Sequence, residues 1–112
     1  MTYRSDDEKQ RERIEKTMMS IGRDCDADYM YRQLAEECVE LAQAALKMIR
    51  VHNNETPADA DVVMDGFMEE VADVHIMLDL FETALIGYRY RDKVTEIYHD
   101  KLNRMRSRLL PL

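Results

Sequence analysis

The stretch FMEEVADVHIMLDLF, Phe67 to Phe81, decides the fold. At about 100° per residue, Val63, Val74, Met77 and Phe81 fall within about 40° of Glu70, which is the spacing of a helix with one apolar face. Asp73 lies at about −60° on the same circle, flanked by Met77 and Leu80. Two acids therefore share the arc that the helix must bury, whereas Asp79 and Glu82 fall well away from Asp73. A carboxylate on such an arc is costly without a partner. That cost is the first sign of chemistry in the chain.

The preceding periodic segment, YMYRQLAEECVELAQAALKMIR, repeats the pattern. With Glu37 as the origin, Met48, Leu41, Leu34, Ala45 and Cys38 occupy about 20° to 100°, and Glu40 lies at about −60°. Cys38 reads as a small core residue of that helix. Glu36, at about −100°, turns further toward water. Each helix thus offers two carboxylates at i, i+3, one turn apart on one face.

Working outward, four helical segments emerge. The first covers roughly Asp6 to Ile21, ended by Gly22, and the second runs from Asp26 or Ala27 to about Val51. The loop HNNETPAD follows, the third helix continues from near Asp59 to about Ile86, and Gly87 stops it. The last spans about Arg91 to Leu109, before Pro111. No strand pattern or repeat is present, so the expectation is an all-α fold, one domain over residues 1–112, with the acidic motifs on its two long helices. With 46% hydrophobic and 35% charged residues, the composition is that of a folded chain and not a disordered one. Two cysteines are too few for a disulfide framework or a cysteine-based zinc site.

The net charge of −7 is unevenly divided. Residues 1–88 hold nine basic against twenty acidic residues, and residues 89–112 hold seven against three. An acidic body argues against a protein that coats polymeric nucleic acid. No apolar run approaches the length of a membrane span, and the charged start MTYRSDDEKQRERIEK has no signal-peptide core, so a cytoplasmic protein is expected.

Four carboxylates on two facing helices repel one another unless protons, basic groups or a hard divalent cation intervene. Mg²⁺ and Mn²⁺ favour oxygen ligands and commonly bind substrate phosphate as well. An ExxE or ExxD alone is usually a solvated helix face. Two of them on successive apolar helices make a metal site the better reading.

EECVE (Glu36–Glu40) followed by EVAD (Glu70–Asp73) resembles the EExxE…ExxD signature of the MazG-like nucleoside triphosphate pyrophosphohydrolases. The likeness extends over roughly residues 30 to 109. It implies an all-α enzyme, assembled as a dimer or a dimer of dimers, that cleaves a nucleoside triphosphate between the α and β phosphates with Mg²⁺, for which Mn²⁺ can substitute. On that resemblance Glu37, Glu40, Glu70 and Asp73 match the metal ligands, and Glu36 matches the first acid of EExxE. Glu37 or Glu40 is the expected general base. DKLNRMRSRL is similar to the family's basic last helix, and Lys101 and Arg108 are the expected phosphate contacts, with Lys47 or Arg104 beside them.

The resemblance is incomplete. Many relatives have Asn where this chain has Met105, and an aromatic residue against the base where it has Met77; Tyr29, Tyr31 and Phe67 are the candidates to stack there instead. Two rival readings are a di-iron carboxylate bundle, for which Glu96 and His99 supply one of the two Glu-x-x-His motifs needed, and a non-catalytic helical interaction protein whose nine methionines form an adaptable surface.

Overall fold

The computed structural model describes residues 5–85 and 87–110, and among them there are helices and no strand. Helix α1 spans Asp6–Asp24, α2 Ala27–His52, α3 Ala60–Leu80 and α4 Tyr88–Leu109, with one π-helical turn, Phe81–Leu85, closing α3. Each start has a local cause. The Ser5 hydroxyl accepts from the Glu8 N–H ahead of a first turn rich in acid, which suits the helix dipole. The Asp26 carboxylate accepts from the Tyr29 N–H at 2.7 Å. Asp59 caps α3 by accepting from the Asp61 N–H.

The short 53–59 connection brings α3 back against α2, and this pair is the most extensive packing in the chain. The core lies at one end of the pair, where Met30 of α2 meets Met77 and Leu80 of α3 and Phe81 of the π turn. Met18 and Cys25 close it from the α1 side, and Tyr90 from α4. The Tyr31 ring packs on Phe81 with centroids 5.0 Å apart. Tyr31 is thereby anchored by packing on one side while more than half of its surface stays exposed.

Several boundaries differ from expectation, each for a physical reason. Gly22 does not end α1, which continues to Asp24. A side chain at position 22 would collide with the Cβ of Ala84, so glycine serves a close approach between α1 and the π turn. Helix α3 keeps α-helical bonding only to Leu80, and the π turn carries the chain on to Leu85; Ile86, the expected end, lies outside the described residues, as does Pro111. Gly87, at φ 72°, then allows the reversal into α4, which starts at Tyr88, earlier than Arg91. Cys38 is exposed and is not a core residue. It stands at the far edge of the α2 apolar arc, beyond what α3 covers.

The chain leaves much of its apolar surface uncovered. Its radius of gyration is 18.2 Å, against about 13 Å for a compact domain of this length. Its accessible surface is 9617 Å², against about 6,500 Å² for a compact monomer of this mass. Every residue from 91 to 110 is exposed, including the stripe Val94, Ile97, Met105 and Leu109 on α4. No helix among the described residues is long and apolar enough to cross a membrane.

The Gly22 contact yields a test. Gly22→Ala raises helix propensity by about 1 kcal/mol, yet it should lower the melting temperature by about 5 °C, because the added methyl overpacks the joint. Adding Ala84→Gly should restore part of that loss in a thermal melt followed by circular dichroism.

Candidate metal centre

Glu37 and Glu40 stand one turn apart on α2, and Glu70 and Asp73 one turn apart on α3. The packing of these two helices brings all four acids together: one carboxylate oxygen from each lies within 4.8 Å of those of the other three. Glu37, Glu70 and Asp73 are half-buried, and Glu40 is exposed. The apolar residues interleaved with them, Val63, Val74, Met77 and Leu34, hold the helices at the distance that makes this possible. Each acid is therefore aimed by helix packing, not by a loop.

The cluster lacks internal compensation. Glu37 Oε2 and Glu70 Oε2 are shut off from solvent and have no hydrogen-bond partner among the described residues. The described ion pairs lie elsewhere, at Arg32–Asp28, Arg91–Glu82 and Lys93–Glu96. Glu37 Oε1 does accept from the Gln33 side-chain amide at 2.7 Å, one turn back on α2. That hydrogen bond favours the ionised form, but partial burial, the charges of Glu40 and Asp73, and a hydrogen bond shared with Glu40 outweigh it. The Glu37 carboxyl is held above its ordinary value of 4.5.

A hard cation meets these needs. Ligand oxygens at about 2.1 Å from Mg²⁺ put opposite ligands about 4.2 Å apart, and the four carboxylates need only a small inward adjustment to reach that separation. The two unpartnered oxygens would become ligands. The donor set contains oxygen only, which suits Mg²⁺ or Mn²⁺ and not a metal that needs imidazole or thiolate. A di-iron site of the Glu-x-x-His type finds no support, since the group of four contains no histidine. His75 is exposed, and the His99 ring packs edge-on against Tyr98.

The other expected site residues separate into two groups. Glu36 is exposed and is not one of the four. Lys47 lines a cavity of about 360 Å³ that begins at Glu40 and Glu70. Phe67 lines the same cavity, whereas Tyr29 is exposed at the start of α2. Lys101, Arg104 and Arg108 line a different cavity, of about 440 Å³, with Met105 and Leu109 on α4. Among the described residues, the cavity that holds these three basic residues is not the one that Glu40 and Glu70 line. Gln33 escaped the sequence reading, although its place four residues before Glu37 is a register from which an amide reaches a carboxylate.

Comparison with protein families, with curated proteins and with solved structures finds no match for this chain.

The raised proton affinity of Glu37 has a definite sign. The folded chain holds that proton more tightly than the unfolded chain, so ionising Glu37 removes stability as the pH climbs from 4.5 through the raised folded value. In EDTA, the melting temperature should fall over this range more for the native chain than for Glu37→Gln. Millimolar Mg²⁺ or Mn²⁺ at neutral pH should raise it again, by mass action on the folded state. Superimposable pH profiles for the two proteins would show that carboxylate repulsion is not felt at Glu37.

Proposed function

We propose that this chain is a metal-dependent nucleoside triphosphate pyrophosphohydrolase of the MazG-like all-α kind, cleaving between the α and β phosphates to release a nucleoside monophosphate and pyrophosphate. The observation that carries the reading is the set of four carboxylates from two helices, with oxygens within 4.8 Å and two of them buried without partners. Glu37, Glu40, Glu70 and Asp73 would hold Mg²⁺ or Mn²⁺. Such a cation, when bound, neutralises charge on the phosphates and makes a nearby water easier to deprotonate.

The chain's own residues account for the rest. The water oxygen bonds to the α-phosphorus as the bridging oxygen departs with the β and γ phosphates. The water proton passes to a carboxylate and then to solvent. Of the two expected bases, Glu40 lines the cavity open to substrate, and Glu37 is half-buried and held by the Gln33 amide. Gln33 fixes the Glu37 carboxylate through one oxygen and leaves the other to meet the cation.

The uncovered surface supports a homodimer or a dimer of dimers as the working form. It exceeds that of a compact monomer by about 3,000 Å², enough for a standard interface, which buries about 800 Å² per partner. An assembly of this kind would cover the α4 stripe. Lys101, Arg104 and Arg108 would then serve the phosphates only as contributions from another copy.

The direct test is pyrophosphate release from a panel of ribo- and deoxynucleoside triphosphates with Mg²⁺, Mn²⁺ or EDTA. Metal-dependent release is expected from the native chain, with a loss of at least about a hundredfold in Glu40→Gln and Asp73→Asn at unchanged helicity. Full activity in both variants would remove the metal site. No release by a folded, metal-binding oligomer would favour a non-catalytic nucleotide-binding protein on the same helices. For the assembly, Met105→Glu should shift sedimentation toward the monomer.

A further inference from the structure

The cavity beside the carboxylates has a second chemical character. It begins at Glu40 and Glu70, extends between α2 and α3, and is lined farther along by Lys47 and Arg50. At about 1.5 Å per residue, the Cα atoms of Lys47 and Arg50 stand about 10 and 15 Å along α2 from that of Glu40. Helical side chains lean toward the N-terminus, so both cations reach back along the cavity toward the carboxylates. Among the described residues neither forms an ion pair. One continuous space therefore has anionic groups at one end and two uncommitted cations at the other.

The opposite wall adds an independent observation. Gly66, in the interior of α3, also lines the cavity, and a Cβ built there would meet no atom within 4 Å. Its φ is not positive, so no backbone conformation demands glycine. Glycine inside a helix is unfavourable relative to alanine, and no packing contact offsets this at position 66. The missing side chain leaves open the wall of the cavity that α3 contributes, in the same space that Lys47 and Arg50 line.

We infer that Lys47 and Arg50 bind the two terminal phosphates of a triphosphate whose first phosphate lies at the carboxylate cluster, and that Gly66 leaves the room they occupy. This rests on the reading that the four acids hold a cation which in turn binds phosphate. It goes further in two ways. The chain supplies its own phosphate clamp from α2, independently of the basic residues of α4. The clamp's length selects a triphosphate over a diphosphate, because Arg50, one turn beyond Lys47, has no phosphate to meet in the shorter ligand. Arg50 adds a planar fork suited to bidentate contact with phosphate oxygens.

The experiment uses inorganic tripolyphosphate and pyrophosphate as probes, titrated by calorimetry into the full-length protein with saturating Mn²⁺. Mn²⁺ binding is followed separately by electron paramagnetic resonance. Lys47→Ala/Arg50→Ala should weaken tripolyphosphate at least about tenfold, as expected for lost charge-assisted hydrogen bonds, with Mn²⁺ affinity unchanged. Arg50→Ala alone should reduce the preference for tripolyphosphate over pyrophosphate. Gly66→Leu should raise the melting temperature yet weaken tripolyphosphate, two opposite movements that a purely structural role for Gly66 would not produce.

Equal tripolyphosphate affinity in the double variant and the native chain would overturn the proposal and leave the metal centre standing. Mn²⁺-dependent tripolyphosphate binding lost in the double variant, in a protein that releases no pyrophosphate from any nucleotide, would uphold the clamp and discard the hydrolase. A native chain that binds Mn²⁺ but no tripolyphosphate would overturn the clamp.

Discussion

Four negative charges held within 4.8 Å of one another by the packing of α2 on α3 are the constraint around which this molecule is built. None of the ion pairs among the described residues involves them, and although the Gln33 hydrogen bond opposes it, burial and the charges of Glu40 and Asp73 hold the Glu37 carboxyl above its ordinary value. A fold selected for stability alone would turn these side chains to water or replace them with apolar residues. The interleaving of Val63, Val74, Met77 and Leu34 with the acids does the opposite: burial of the apolar residues commits the carboxylates to the same face. The packing that stabilises the helix pair and the repulsion that strains it come from the same contact.

Much of this was legible in the sequence because helices are local. The arc positions of Glu37, Glu40, Glu70 and Asp73 follow from 3.6-residue periodicity, and the helix starts near Asp26 and Asp59 are legible as acids ahead of periodic segments, where the structure has both as caps. The loop between α2 and α3 is short enough to force an antiparallel return. Two i, i+3 pairs on such helices can meet only if their registers match, and the structure has them level.

What was not legible depends on contacts between segments distant in sequence. Gly22 reads as a helix end, but its meaning is set by Ala84, sixty-two positions later in the chain. Cys38 lies on the apolar side of α2, yet no partner in the chain covers that edge. The basic residues of α4 have the right spacing for a common face, and Lys101, Arg104 and Arg108 do line one cavity. Periodicity carries no information about where that face points, because the direction of α4 depends on the π turn and on Gly87. Arg50 and Gly66 raised no signal alone, since an arginine in a last turn and a glycine in a helix each have a commonplace explanation.

The π turn also has a mechanical meaning. Three helices meet it: α1 at the Gly22 contact, α3 by continuity, and α4 through its first residues. Beyond that joint α4 extends 22 residues, or about 33 Å, with every residue from 91 to 110 exposed. It is a lever pivoted at one end. A rotation of about 10° at the five-residue joint would carry the tip, with Arg104 and Arg108, through about 6 Å. The acids, locked between two packed helices, would not move at all. The chain thus divides into a packed helix pair that fixes charge and a helix held to it only at its first residues, so that the joint alone sets where its basic end lies.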